Sequence, residues 1–390
     1  MKWASAGSAE PVLQAAVRAT TASVREQLGG DAPALVVAFV SEHHRQHYDR
    51  VPELLAAELG PGLLVGCSAG GVIGGGREIE QSPGLSVTAA VLPNVQVNPL
   101  HLEANAPHGP ETSAALPALG GVAAPHFLLF PDPMTFDPQP LLQMLDRTYP
   151  AGQKIGGLAS GGQQPGANAL FLGSNVYRAG LVGIVLSGDI EVDTIVAQGC
   201  RPIGQPMFVT KCQGNLLAEL DGVPAVRVLQ ELFEGLSSAD QELAQHSLFV
   251  GIVMSEDQQE YRQGDFLIRN LIGMDAARGV LAVGALLREN SVVQFHLRDA
   301  KTSADDLEHL LTGYAGRSRT HRPQGALLFS CLGRGMHLYG RPDHDTRVFA
   351  RHLGKIPLGG FFCNGEIGPV HGSTFLHGYT SAFGLFRSRS

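Results

Sequence analysis

Gly66-Cys67-Ser68-Ala69-Gly70 has the spacing of a serine nucleophile's turn and follows the apolar run Leu63-Leu64-Val65. In hydrolases that pattern sets a serine between a strand and a helix, where its oxygen can attack an acyl carbon. Here Val72-Ile73-Gly74-Gly75-Gly76 comes next, a poor start for a helix, so a tight turn at a strand end is the better reading. Cys331 ends another apolar run beside Gly333-Arg334-Gly335, and a nearby guanidinium would lower its thiol pKa and make it reactive. No His or Asp is placed to complete a catalytic set, and a buried packing cysteine is the alternative. His43 and His47 have the spacing of a zinc-binding pair on a helix with His44 between them, but no third ligand is close in sequence. Neither the dinucleotide glycine fingerprint nor a phosphate loop with its lysine occurs. These readings lead to an expectation of no catalytic residue, no metal and no cofactor.

A binding constellation fits the residues better. Arg334, Asn364 and Glu366 each lie among glycines just past apolar runs near the carboxy terminus. Glycines let backbone approach a ligand closely, and the strand rim is where α/β sheets hold ligands. The planar fork of Arg334 suits a carboxylate and Glu366 suits an ammonium, which together describe a zwitterion such as an amino acid. Cys331 would border the same site, and Ser68 would face a similar cleft earlier in the chain. The competing reading is a salt bridge between Arg334 and Glu366 that ties two loops together.

The elements that must position these residues repeat three times. Ala34–Val40 is followed by Leu63–Gly71; His126–Phe130 leads through a helical Pro140–Arg147 to Lys154–Gly162; Ala326–Cys331 leads through a helical His344–His352 to Ile356–Gly365. Each is a strand, a short amphipathic helix and a second strand ending in a glycine-rich loop, as in a βαβ unit. Alternating runs at Leu85–Val91 and Ala179–Leu186 read as antiparallel strands, and Met207–Thr210 with Leu216–Leu220 as a hairpin ahead of a helix opened by Asp221-Gly222.

A chain of 390 residues with 44% hydrophobic content can build more than one core. Charged residues make up only 16% while glycine reaches 49, which favours many short strands and tight turns over long solvated helices. The fold expected is α/β: two similar domains of mixed β-sheets flanked by helices, with an amino-terminal helical segment at 1–33, a first domain at 34–205 and a second at 206–390. Gly199–Pro206 and a loop at Ala104–Ser113 are the expected proteolysis sites. The net charge of −8, with no Lys/Arg block, removes the footprint of a nucleic-acid binder. The apolar runs are too short for membrane insertion, and five scattered cysteines fit a reducing cytoplasmic location.

In two stretches the residues resemble a known family. Leu328-Phe329-Ser330-Cys331-Leu332-Gly333-Arg334-Gly335 and Ile356–Pro369, closing on Phe375–Thr380, resemble the FIST C signature. Phe39-Val40-Ser41, Val65–Gly71 and Ile155-Gly156-Gly157 are similar to FIST N, so the likeness runs from about Ala34 onward. The resemblance implies a sensory protein that binds a small molecule, with amino acids as the proposed ligand class, and it brings no catalytic chemistry. Some members carry an F-box, but the segment before Ala34 is short and reads as one helix, Pro11–Leu28. With no signalling module in this chain, output is expected through a separate downstream partner. A protein-interaction adaptor presenting a groove is the second reading, and a serine or cysteine hydrolase the third.

Overall fold

A computed structural model describes residues 1–104, 124–256, 260–317 and 322–389. The three repeats are there, each as a parallel pair: Leu35–Ser41 with Leu63–Ala69, His126–Pro131 with Lys154–Gly157, and Gly325–Cys331 with Leu358–Cys363. The helices Val51–Leu59, Gln139–Thr148 and His344–Leu353 make the crossovers. Their apolar faces are buried at Leu55, Leu141, Leu142 and Leu145, and Val348 and Phe349, which is what holds such short helices in place.

Every pair is extended in the same way. Beside the first strand lie two more strands, the adjacent one antiparallel to it: Leu85–Val91 and Lys2–Ser8, Leu181–Gly188 and Val95–Leu102, or Thr380–Arg387 and Glu191–Gln198. Beside the second strand lies a hairpin taken from another repeat. Leu170–Leu172 pairs with the first repeat, Glu366–Val370 with the second, and Gly71–Gly74 with the third. Each repeat therefore completes its neighbour's six-stranded sheet, and the three mixed sheets interlock in a cycle.

The cycle closes on an aromatic core. Phe39, Phe130 and Phe329 occupy equivalent places on the first strands, and all are fully buried. Phe39 meets Phe130 edge-on at 5.3 Å, Phe130 meets Phe329 at 6.0 Å, and Phe361 stacks on Phe39 at 4.4 Å. Opposite the residue before each of these phenylalanines stands a glycine: Gly66, Gly156 and Gly360, with φ of 156°, 152° and 147°. A Cβ there would fall 1.8, 1.9 and 1.9 Å from the carbonyl oxygens of Ala38, Leu129 and Leu328. Only glycine lets the strands approach this closely.

The chain divides into two compact units. The first comprises Met1–Val196, Glu308–Leu376 and Thr380–Ser390, and holds all three repeats; the second comprises Ala197–Leu307 and His377–Tyr379. The compact units are not consecutive stretches of the chain, and Gly71–Gly74 pairs with the distant Leu358–Cys363 within the first of them. The second unit carries a seven-stranded sheet whose pairings are antiparallel, including Cys200–Gln213 with Leu216–Leu220. Helices Ala225–Glu234 and Ser238–Ser247 belong to it, with Val209, Leu217, Leu281 and Phe295 in its core.

The segment 1–33 holds the helix Leu13–Leu28 but also the strand Lys2–Ser8. Its residues are mostly small, so neither period nor propensity marks it, and Trp3 anchors it by stacking on Phe386 at 4.6 Å. Apart from Ala104, the expected cleavage loop Ala104–Ser113 lies outside the described residues. Among the described residues no helix is long and apolar enough to cross a membrane.

Candidate functional site

Three glycine-rich loops leave the carboxyl ends of the parallel pairs and bind one another. The Gly70 N–H donates to Ser160 Oγ at 2.8 Å, and that hydroxyl donates to the Phe362 carbonyl at 2.5 Å. Asn364 donates through its backbone N–H to the Leu158 carbonyl and through Nδ2 to the Ala159 carbonyl, at 3.2 and 3.1 Å. The Leu158 N–H returns a bond to the Gly365 carbonyl at 2.9 Å. Each loop is satisfied by the other two, so the rim is fixed by all three repeats together.

Where the loops meet there is a pocket of about 340 Å³. Its walls include the glycine backbone of residues 70–71 and 161–162 and the side chains of Glu42, Glu80, Gln163, His337 and Asn364. Glu42 opens the 3₁₀ helix Glu42–Arg50, and Glu80 ends the hairpin strand Arg77–Glu80. Burial pushes the Glu80 carboxyl up from its ordinary range, opposed by the hydrogen bond it accepts from the Met336 N–H at 3.0 Å. Two carboxylates and three side-chain amides, Gln81 joining Gln163 and Asn364 in the lining, suit a small, polar, amine-bearing ligand. A larger pocket of about 680 Å³, bordered by Ser8, Arg77 and Lys355, lies away from this rim.

Of the residues singled out from sequence, Asn364 lines the pocket and the others stand behind it. Arg334 is completely buried: Nε donates to Asp345 Oδ2 at 2.9 Å, and Nη2 to the Tyr339 hydroxyl at 2.6 Å and to Asp345 Oδ1 at 3.3 Å. The Nε/Nη2 edge of the fork is occupied by Asp345 and Tyr339, while Nη1 is buried with no hydrogen-bond partner among the described residues. The ion pair with Asp345 stands in place of the expected bridge to Glu366. Asp345 also receives His344 Nδ1 at 2.9 Å and Ser381 Oγ at 2.6 Å. Burial alone would raise its pKa, but the guanidinium and these donors hold it well below the usual carboxylate range. No pattern in His344–His352 marks Asp345 as special, and it was missed for that reason.

Glu366 is also completely buried and accepts from Thr380 through N–H at 3.0 Å and Oγ1 at 2.7 Å. Its pKa is pushed up to about 7 by burial, with the Thr380 bonds opposing. It is enclosed by protein and does not line the rim pocket. Cys331 is half-buried, and its register partner on the neighbouring strand is Cys363. Ser68 is fully buried, within 3.1 Å of the Ser160 carbonyl and of Asn168 Oδ1, and accepts the Ala169 N–H at 3.1 Å. Ser68 lies within the strand Leu63–Ala69, and its oxygen bonds the segments at Ser160 and Ala169. His44 is buried while His43 and His47 are exposed.

Comparison with known proteins gives the family. The FIST N domain model matches residues 34–223 and the FIST C domain model residues 225–369. The cut between them falls within the second compact unit, so sequence domains and compact units divide the chain differently. An uncharacterized protein of Mycobacterium tuberculosis (strain H37Rv) is 38% identical over 386 residues, 97% of this chain and 98% of its own length. One from Mycobacterium bovis is 38% identical over 376 residues, 96% and 95%. An F-box/LRR-repeat protein of Arabidopsis thaliana is 28% identical over 119 residues, 27% of this chain and 22% of that protein.

Proposed function

We propose that this chain, which belongs to the FIST family, is a sensory protein whose rim pocket takes a small amine-bearing ligand, an amino acid by preference. FIST domains are commonly sensory domains that bind small ligands in signalling. The observation that carries the proposal is the convergence of all three glycine-rich loops on one pocket walled by Glu42 and Glu80. An ammonium would sit against these carboxylates, while the side-chain amides of Asn364 and Gln163 would receive the carboxylate end. Arg334 and Glu366 support the site from behind: Arg334 holds Tyr339 and Asp345, and Glu366 holds the start of Thr380–Arg387. Signal output would pass to a separate partner.

A thermal-shift screen tests this. A ligand that binds only the folded state adds about 2.7 kcal/mol at a hundredfold excess over its dissociation constant, a clear rise in melting temperature. Amino acids and simple amines are expected to produce such a rise, and Glu80→Gln to remove most of it while leaving the unliganded melting point close to wild type. If no amine-bearing compound shifts the melt, or the shift survives in the Glu42→Gln/Glu80→Gln double variant, the pocket is not the site.

A further inference from the structure

Cys331 and Cys363 are direct register partners in the parallel ladder of the third repeat. Strands in a sheet lie about 4.8 Å apart, inside the ~4.4–6.8 Å range of Cα separations that disulfides span. Strand alternation puts both side chains on one face of the sheet, that of Phe329 and Phe361. The two thiols differ in access: Cys331 is half-buried, whereas Cys363 is fully enclosed. All five cysteines are thiols in this structure, and no other two of them are paired by register among the described residues.

Two charged groups flank the pair. The Arg334 guanidinium interacts electrostatically with the Cys331 thiol. Glu366 Oε1 stands 3.4 Å from Cys363 Sγ, in place to accept its proton. A Cβ on Gly157 would come within 3.0 Å of Cys363 Sγ, so the glycine leaves that sulfur room. None of these residues lines the proposed ligand pocket.

We infer that Cys331 and Cys363 form a peroxide-reactive dithiol, in which Cys331 is attacked first, Cys363 resolves it as a cross-strand disulfide, and Glu366 takes the resolving thiol's proton. In the first step the Cys331 thiolate attacks a hydroperoxide oxygen. The S–O bond forms, the O–O bond breaks, and the departing hydroxide (or alkoxide) takes a proton from solvent, leaving a sulfenic acid. In the second, Cys363 gives its proton to Glu366 and attacks the Cys331 sulfur; S–S forms, S–O breaks, and the hydroxide takes the proton back from Glu366 as water. With hydrogen peroxide, two thiols lose two electrons and the peroxide becomes two waters.

The experiment uses the full-length protein, reduced, desalted and treated with hydrogen peroxide, then alkylated and mapped by mass spectrometry. Wild type is expected to lose two thiols and two hydrogens in mass and to yield a peptide pair joined through Cys331 and Cys363. Cys363→Ser should stop at a sulfenic acid on Cys331 that dimedone captures, and Cys331→Ser should leave Cys363 as a thiol. Glu366→Gln should form the sulfenic acid at the wild-type rate yet close the disulfide about tenfold more slowly or worse. The proposal is overturned if wild type keeps its thiols where free glutathione is oxidised, if Cys331 proceeds to sulfinic acid without a cross-link, or if Glu366→Gln closes at the wild-type rate.

Discussion

Asp345 and Glu366 are both enclosed carboxylates, yet their surroundings push them in opposite directions. Burial would raise Asp345, but Arg334, His344 and Ser381 reverse that; Glu366 has burial as its largest influence and rises to about 7. Asp345 therefore contributes stability that is present above its unfolded value of 3.8 and is lost as pH falls through its depressed folded value. Glu366 works the other way. Its contribution is complete below the unfolded value of 4.5 and is lost as pH rises to about 7, because the folded state holds a proton that the unfolded state has released. The loss is roughly 3 kcal/mol. In urea melts between pH 4.5 and 7, Glu366→Gln should remove one downward contribution to the slope, leaving Glu78, which burial raises to about 8, pulling stability down and the buried His126 and His296, lowered to about 4, pulling it up. A slope unchanged by the substitution would mean that Glu366 is ionised in the fold. Arg334→Ala should cost about 3–5 kcal/mol, since it leaves Asp345 buried without its countercharge; a loss under about 1 kcal/mol would sink that account. From sequence, Arg334 and Glu366 stood out as charges among glycines, but their partners were not legible: a carboxylate eleven residues on, in a helix, and a threonine two strands on.

At the scale of elements, the strand-helix-strand repeats were legible because each couples an apolar run to a glycine-rich rim, a pattern local enough to see in one chain. Where the hairpins pair was not. Gly71–Gly74 carries nothing that distinguishes the edge strand of its own repeat from Leu358–Cys363, and the choice is made by tertiary packing. The recurrent glycine shows why the sheets accept so little variation. In Gly156→Ala the new methyl would lie 1.9 Å from the Leu129 carbonyl oxygen at a φ that side chains rarely adopt, so the parallel pair must separate. The expected destabilisation is about 3 kcal/mol or more, read as a lower midpoint in denaturant. A midpoint within experimental error of wild type would show that the strands can part freely, and the close approach would then carry no energetic weight.

For the whole molecule, the exchange of hairpins makes the first compact unit depend on distant parts of the chain. A cut at 205/206, which the sequence pattern invites, removes the sheet that receives Gly71–Gly74, and takes Phe329 and Phe361 from the cluster around Phe39 and Phe130. The carboxy-terminal piece loses the hairpin that covers Leu358–Cys363, and Glu366–Val370 loses its partner Lys154–Gly157. Each piece would expose unpaired strand edges beside large apolar side chains, which favours aggregation over folding. Residues 1–205 expressed alone are expected to give no sigmoidal unfolding curve and weak near-ultraviolet circular dichroism, whereas the same piece produced together with 206–390 should recover both. The co-produced pair matters because it restores every strand pairing without restoring the peptide bond. A cooperative melt from 1–205 alone would mean that the amino-terminal repeats close their own sheets, and the cyclic exchange would not be what stabilises the fold.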